Sequence, residues 1–390
     1  MTNDRHARVH DAAIIGAGPA GLATALALKQ AGADVVCLGP PPDPDAPDRR
    51  TTALLDGSVR FLDEQLRLWE PLSPLAAPLR SLRLIDRTGR LFRAPDTLFE
   101  ADEIGVEAFG FNIPNADLIR VLLDDLGDAF TATRSVTGLL TKPDRVTITL
   151  SEGGMVEARL AIGADGRNSL CRESASIGVR RWSYDQTAIV SNFRHSRPHG
   201  SACTEFHYAS GPFTIVPLPG QWASLVWVDS KKAAARLSTL PDSEFMAEIA
   251  RRLDGLLGDI VEIGPRGAFP LSALIAHRMT GERLALVGEA AHVMPPIGAQ
   301  GLNLGFRDAA DLVRHLAHAS DPGAAETLAA YERSRRLDVW TRTLAADVLN
   351  RTLTSNIPLF QLARGAGLSA LTFAGSLRRA AMRQGMSAAR

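Results

Sequence analysis

The segment from Asp11 to Gly21, Asp-Ala-Ala-Ile-Ile-Gly-Ala-Gly-Pro-Ala-Gly, constrains this chain more than any other. A buried strand runs straight into Gly-x-Gly-x-x-Gly, Leu22 to Ala31 has helix-forming composition, and Asp34 to Leu38 supplies a second strand. Gly16 permits the tight turn, Gly18 lets backbone approach a pyrophosphate, and Gly21 lets helix and strand pack closely. The phosphates of a nucleotide then sit on the helix N-terminus, where free N–H groups and the helix dipole favour an anion. The acidic residue expected about 20 residues on, to hold ribose hydroxyls, falls near Gly39, with Asp34 too early and Asp43 too late. The adenosine end must be held in another way. Arg49 and Arg50, which follow the proline-rich loop from Pro40 to Pro47, offer two guanidinium groups to a diphosphate or ribose.

A chain of 390 residues has room for two to three domains of roughly 150 residues. Its 43 basic residues balance 43 acidic ones, so no overall field gathers nucleic acid, and no nucleic-acid partner is expected. Cys37, Cys171 and Cys203 are widely spaced and odd in number, which suits neither a disulfide framework nor a metal site and points to a reducing cytoplasm. Ala12 to Leu28 is uncharged, but the glycines and Pro19 interrupt it, which argues against a membrane span.

Further along, Leu82 to Ile85 and Leu91 to Ala94 look like a hairpin, and Asn115 to Leu126 reads as an amphipathic helix. Val146 to Leu150 and Val156 to Ile162 form another hairpin, whose second strand ends in Gly163-Ala-Asp165-Gly166, where open α/β sheets bind ligands. From Thr187 to Val228, short β-rich runs with aromatic residues predict an antiparallel sheet, followed by a helix over Asp242 to Leu257 and a strand over Arg266 to Pro270. Arg283 to Gly288 is a further buried strand. After the loop that follows it, Leu302, Phe306, Ala309, Val313 and Leu316 recur at helical spacing. The N-terminus of that helix faces the loop and would stabilise an anion there.

Gly16 to Gly21, Asp165-Gly166, and Gly288-Glu289 with its proline- and glycine-containing loop together resemble the group A flavoprotein aromatic hydroxylases over nearly the whole chain. Asp48-Arg-Arg-Thr-Thr-Ala-Leu54, Trp182-Ser-Tyr-Asp-Gln-Thr-Ala188 and Gln300-Gly-Leu-Asn-Leu-Gly-Phe-Arg-Asp308 resemble, within that group, the 2-polyprenylphenol hydroxylases of ubiquinone biosynthesis. The resemblance implies an α/β fold with a Rossmann-type FAD-binding domain of the p-hydroxybenzoate hydroxylase type, built from 1–75, 101–180 and 271–345. It further implies an inserted, mainly antiparallel substrate domain from 76–100 and 181–270, and a helical C-terminal segment, 346–390.

It also implies non-covalent FAD, with Gly16, Gly18 and Gly21 at the diphosphate, Arg50 reaching the diphosphate or ribose, Asp165 near the diphosphate and the NAD(P)H encounter, and Glu289 on a ribityl hydroxyl. Ala291 to Gln300, including Pro295 and Pro296, would lie along the isoalloxazine, with Gly298, Ala299, Gly301, Leu302 and Asn303 completing the cofactor set beside Gly288. NAD(P)H would reduce the flavin as a transient partner, and O2 would give a C4a-hydroperoxyflavin that hydroxylates a phenol while protein excludes water. Two departures stand out. Most of the family has Gly-Asp where this chain has Gly288-Glu289, and commonly Ala-Gly-Gln-Gly where it has Gly298-Ala-Gln-Gly301.

Phe193, Phe206, Phe213 and Trp227 are candidates for a ceiling over the ring, and His195, His207, Tyr184 and His292 for a phenol base, although none is assigned. Residues 350–390 hold six arginines and no acid, interleaved with leucine and phenylalanine, which suits contact with the inner face of a membrane, a biosynthetic partner or a second copy. The leading expectation is hydroxylation of a polyprenylated phenol. The alternatives are a small soluble aromatic substrate or a non-catalytic flavin-binding scaffold.

Overall fold

The computed structural model describes residues 8–43, 50–89, 95–296, 298–354 and 375–386. β1 (Val9–Ile15) turns through the glycines into α1 (Pro19–Gln30) and returns as β2 (Val35–Gly39). β3 (Thr51–Leu55), the short α2 (Asp56–Arg60) and α3 (Trp69–Leu72), and β4 (Ala77–Pro78) follow. Next come β5 (Ser81–Asp86), β6 (Thr97–Glu100), β7 (Gly110–Pro114) and α4 (Asn115–Leu126). β8 (Phe130–Ala132), β9 (Val136–Thr141), β10 (Val146–Leu150), β11 (Met155–Gly163) and α5 (Leu170–Ser174) complete the first half.

The second half opens with β12 (Val179–His195), β13 (Ala202–Tyr208), β14 (Gly211–Leu218) and β15 (Trp222–Ser230), then α6 (Lys231–Thr239) and α7 (Asp242–Leu253). β16 (Ile260–Ile263), β17 (Gly267–Ala276), β18 (Thr280–Gly281), β19 (Leu284–Leu286) and β20 (His292–Val293) lead to α8 (Gln300–Leu316), α9 (Ala325–Thr354) and α10 (Gly375–Met386).

The strands form an eight-stranded sheet ordered β18-β19-β11-β1-β2-β8 with β10 and β9 beyond β11, a nine-stranded sheet ordered β20-β17-β12-β15-β14-β13-β5-β6 with β16 on β12, and a small sheet β3-β7-β4. In the first, β19, β11, β1, β2 and β8 run parallel. Parallel strands need both faces covered, which is why Ala12 to Ile15 and Val35 to Leu38 are apolar without alternation. α1 covers one face. Every residue from Gly21 to Leu28 is buried, since α8 and α4 pack on it from outside.

The nine-stranded sheet presents two different faces. Ile189, Phe193, Phe206, Phe213 and Trp227 pack under α6 and α7 with Leu237, Phe245 and Ile249. The four aromatic residues proposed as a ceiling are therefore core of the far face. Tyr184, Ala188, Val228, Leu271 and Ala273, with Val226 beside them, form the opposite face. Arg50 lies over the Phe269 ring, 5.6 Å from its centre, and Phe269 pairs with Ala188, so this second face looks toward the small sheet.

Several expectations change. β5 pairs with Thr97–Glu100, while the partner expected from the sequence, Leu91 to Ala94, lies outside the described residues. The helix from Asp242 stops at Leu253 because Asp254 takes a left-handed φ of 50°. The strand expected over Arg266 to Pro270 runs on to Ala276, extended by pairing with β12. A division at 271 would cut this strand, and His292–Val293 joins the same sheet although it lies well beyond that point. Ala77–Pro78, in turn, belongs to the small sheet.

Candidate active site

Because β2, β1, β11 and β19 are parallel neighbours, their carboxyl ends share one edge of the sheet. Gly16 to Gly21 follow β1, Asp165-Gly166 follows β11 and Gly288-Glu289 follows β19, so stations far apart in sequence meet at one crevice. Gly16 has φ +121°, and a Cβ there would lie 2.2 Å from the Ala164 carbonyl oxygen. A Cβ on Gly21 would lie 2.0 Å from the Gly16 carbonyl oxygen. Gly18 differs: among the described residues, nothing stands within 4 Å of a Cβ built there. Among the described residues no side chain caps the first turn of α1, and Pro19 removes one N–H that would otherwise go unused, leaving the helix N-terminus open to an anion. Asp34 sits at the opposite end of β2, paired with Arg8 at 2.7 Å and His10 at 3.1 Å, which accounts for its absence from the crevice.

Asp165 accepts the Cys171 backbone N–H at 3.0 Å through Oδ2, while its Oδ1 is buried without a partner among the described residues. Arg172, capped in α5 by the Ser169 hydroxyl, donates to the Ala290 carbonyl at 2.8 Å and to the Arg167 carbonyl at 3.0 Å. Burial lowers its pKa, as does the neighbouring Arg181 charge. Arg167 in turn stands 3.5 Å from the Glu289 carboxylate, both side chains about half exposed. The Asp165 and Glu289 stations are thus tied together by two arginines that sequence reasoning did not single out. The available signal was the serine three residues before Arg172, an N-cap placing it on a short buried helix.

The loop after Gly288 is fastened to the nine-stranded sheet, because β20 pairs with β17 through His292 with Ile275 and Val293 with Leu274. Gly288 has φ +60°, and its N–H donates to Asp308 Oδ2 at 3.0 Å. The same oxygen lies 2.6 Å from His292 Nε2, and both side chains are buried. Pro295 is buried and Pro296 exposed, so the two prolines face different surroundings. Gln300 donates to the Gly298 carbonyl at 3.0 Å and accepts from Arg342 at 3.1 Å.

Ala299, the N-cap of α8, has φ 53°, a left-handed conformation that favours glycine. A Cβ on Gly301 would meet nothing within 4 Å among the described residues, so the start of this helix is also open. Leu302 is half-buried behind it. Asn303 contributes only backbone to the opening: its amide donates to the carbonyls of Ala53 and Ala299, and its oxygen accepts from Leu55 N–H at 2.8 Å and Ser58 Oγ at 2.6 Å. Arg50 reaches the junction of the small and nine-stranded sheets, while Arg49 lies outside the described residues.

None of the other base candidates is poised at the loop. His195 is buried and bonded to the Arg197 carbonyl at 2.8 Å, and burial lowers its pKa. His207 pairs with Glu205 at 2.7 Å. Tyr184 donates to Asp347 at 2.6 Å, and burial together with that carboxylate holds its hydroxyl well above the usual range. Among the described residues, no cluster of three or more metal-ligating side chains occurs.

The crevice suits a dinucleotide carrying a diphosphate and a ring: an open glycine before an uncapped helix, an orphaned buried carboxylate oxygen, and a second open helix start beside the loop. A mainly antiparallel sheet is bonded to that loop, and the family and the relatives named next make the molecule an FAD-dependent monooxygenase of the aromatic hydroxylase class. The chain belongs to the FAD binding domain family, whose model matches residues 9–346. It is 38% identical over 392 residues to the ubiquinone hydroxylase UbiL of Rhodospirillum rubrum, covering 97% of this chain and 90% of that one. It is 31% identical over 385 residues to the 3-demethoxyubiquinol 3-hydroxylase of Escherichia coli, covering 95% and 97% respectively. The crystal structure of p-nitrophenol 4-monooxygenase PnpA from Pseudomonas putida matches the fold with a TM-score of 0.79 at 17% identity, covering 98% of this chain and 99% of that one.

Proposed function

We propose that this protein uses FAD, NAD(P)H and O2 to hydroxylate the ring of a polyprenylated phenol or quinol in ubiquinone biosynthesis. The observation that carries this reading is the apolar face of the nine-stranded sheet, Ala188, Val226, Val228, Leu271 and Ala273, on the sheet to which the loop after Gly288 is bonded. An apolar face on the sheet that carries the loop suits a hydrophobic ring and the exclusion of water. The full-length likeness to two hydroxylases with ubiquinone-related names supports the substrate class.

Bound FAD supplies the redox chemistry, accepting hydride from NAD(P)H and activating O2. Gly18 and the first turn of α1 hold its diphosphate, with Gly16 and Gly21 shaping that turn, and Arg50 reaches the diphosphate or ribose. Asp165 serves the diphosphate region and Glu289 a ribityl hydroxyl, with Arg167 orienting the longer glutamate. Gly298, Ala299, Gly301, Leu302 and the Asn303 backbone would hold the flavin at the start of α8, whose open N–H groups would favour negative charge there. Pro295, Pro296 and Gln300 are the loop positions that would lie along the ring. A comparison of kcat/KM for a phenol with and without a short prenyl tail tests the substrate: preference for the tailed phenol supports the proposal, and preference for the bare one favours a small soluble aromatic. Flavin that binds yet responds to no phenol favours the scaffold alternative.

A peripheral membrane contact is the second part of the proposal. α9 exposes Leu337, Trp340, Leu344 and Val348 at spacings of three and four residues, Leu337 to 72%. Beside them a cavity of about 140 Å³ is lined by Arg180, Arg181, Trp182 and Arg351. A tryptophan and leucines flanked by arginines suit an anionic bilayer surface on the cytoplasmic side. This face lies mostly before the segment 350–390 expected from the sequence, of which 355–374 and 387–390 are outside the described residues. Arg351 pairs with Asp347, and Arg378 with Glu103, so two of its arginines already have protein partners. Among the described residues, no helix is long and apolar enough to cross a membrane. Co-sedimentation with anionic vesicles, weakened in Leu344→Glu, supports the contact; a concentration-dependent dimer lost in the same variant assigns the face to a second copy.

A further inference from the structure

α9 is tied to both ends of the loop after Gly288, at the near end through Asp308 of α8, although it lies far from the glycine motifs in sequence. At the near end, Asp308 is fully buried and gathers three donors: Gly288 N–H at 3.0 Å, His292 Nε2 at 2.6 Å and Arg335 Nε at 2.8 Å. Arg335, also fully buried, continues to Asp338 at 2.9 Å. At the far end, Asp338 accepts from Arg342 at 2.7 Å, and Arg342 donates to the Gln300 side chain at 3.1 Å, which itself holds the Gly298 carbonyl at 3.0 Å. Arg335, Asp338 and Arg342 are spaced by three and four residues, so they form one row along the helix.

We infer that the Arg335-Asp338-Arg342 row is a positioning strut, fixing the separation of Gly288-Glu289 from Gly298-Gln300 and hence the curvature of the loop around the flavin. None of the three touches the reacting atoms. The inference rests on the proposal that this loop holds the flavin. Buried ion pairs contribute little to net stability but are costly to break singly, so they specify geometry more than they add stability. The chain alternates sign from Asp308 to Arg342, which leaves few other arrangements with every charge paired. A rigid helix is also a better ruler than a loop, and a preorganised loop binds its ligand without an ordering cost.

Arg342 is the decisive position, because its side chain is 19% exposed and Asp338 keeps Arg335 at 2.9 Å and Arg307 at 3.6 Å without it. Arg342→Met is therefore expected to fold with a melting temperature only slightly below that of the wild type. Amide exchange in the apoprotein should speed up at Gly298 to Gln300 and, more weakly, at Ala290 to Val293. The FAD Kd, read by flavin fluorescence, should rise roughly three- to tenfold, and Arg342→Lys, which keeps one hydrogen bond, should fall between. Exchange and Kd both identical to wild type in Arg342→Met would overturn the strut. Should the wild-type protein take up no FAD, the functional proposal fails, while the exchange comparison still tests the strut on the apoprotein. Asp308→Asn should loosen the near end instead, with Ala290 to Val293 the more affected; an unchanged near end there also contradicts the inference.

Discussion

Gly16 and Gly18 stand two residues apart and meet opposite demands. Gly16 is held at φ +121° with the Ala164 carbonyl where a Cβ would go, so its requirement comes from the fold. Gly18 looks into open space, so its requirement comes from the ligand. Gly16→Ala should lower the stability of the apoprotein by roughly 3 kcal/mol or more, since both the backbone and a neighbour must move. Gly18→Ala should melt like wild type yet bind FAD at least roughly tenfold more weakly; thermal denaturation and FAD titration of the two variants check the contrast. The cysteines offer a second test at this scale. Burial pushes the Cys37 thiol up to about 12 and raises Cys171 as well. At pH 8 about one Cys37 in ten thousand is thiolate, so neither should be labelled by iodoacetamide in the native protein, as peptide mapping before and after unfolding would show.

The start of α8 concentrates what is particular to this chain at the level of elements. Ala299 takes a left-handed φ of 53° at the position next to Gly298, and this costs a non-glycine residue about 1–2 kcal/mol. Glycine there would be more flexible when unfolded, which offsets about 0.4–1 kcal/mol of that. Ala299→Gly should therefore stabilise the protein by about 0.5–1 kcal/mol in chemical denaturation, and a loss of stability would show that the methyl group packs usefully. Elements differed in how legible they were. The periodicity of Leu302, Phe306, Ala309, Val313 and Leu316 revealed α8, and the hairpin of β10 and β11 was legible as two strands joined around Gly153-Gly154. Alternation shows which residues share a face, not what that face meets. Phe193, Phe206, Phe213 and Trp227 therefore belonged together as expected, yet they lie under α6 and α7. Arg172 and Arg335 were illegible as site residues because the Arg172 partner is the backbone of Ala290, over a hundred positions away, and the Arg335 partner, Asp308, lies on a neighbouring helix.

Across the whole molecule, the crevice exists only because one sheet, a second sheet and α9 are joined at the same loop. Burial alone would raise the pKa of Asp308, but His292 and Arg335 outweigh it and hold the carboxyl below its usual range. Asp338 is likewise lowered, Arg335 and Arg342 outweighing burial. A depressed folded pKa means stabilisation that is complete above the unfolded value of about 4 and is lost as pH falls through the folded one. Flavin release and loss of the helical signal should accordingly coincide as pH drops below about 4, followed by flavin fluorescence and circular dichroism. Asp308→Asn should flatten this dependence. The central claim, that the assembled crevice directs one oxygen atom from O2 onto a phenol ring, is tested most directly with isotopically labelled O2, NAD(P)H and a short-chain prenylphenol. A product carrying one labelled oxygen per molecule is the predicted result. Steady NAD(P)H oxidation that yields labelled hydrogen peroxide and leaves the phenol unchanged would contradict it.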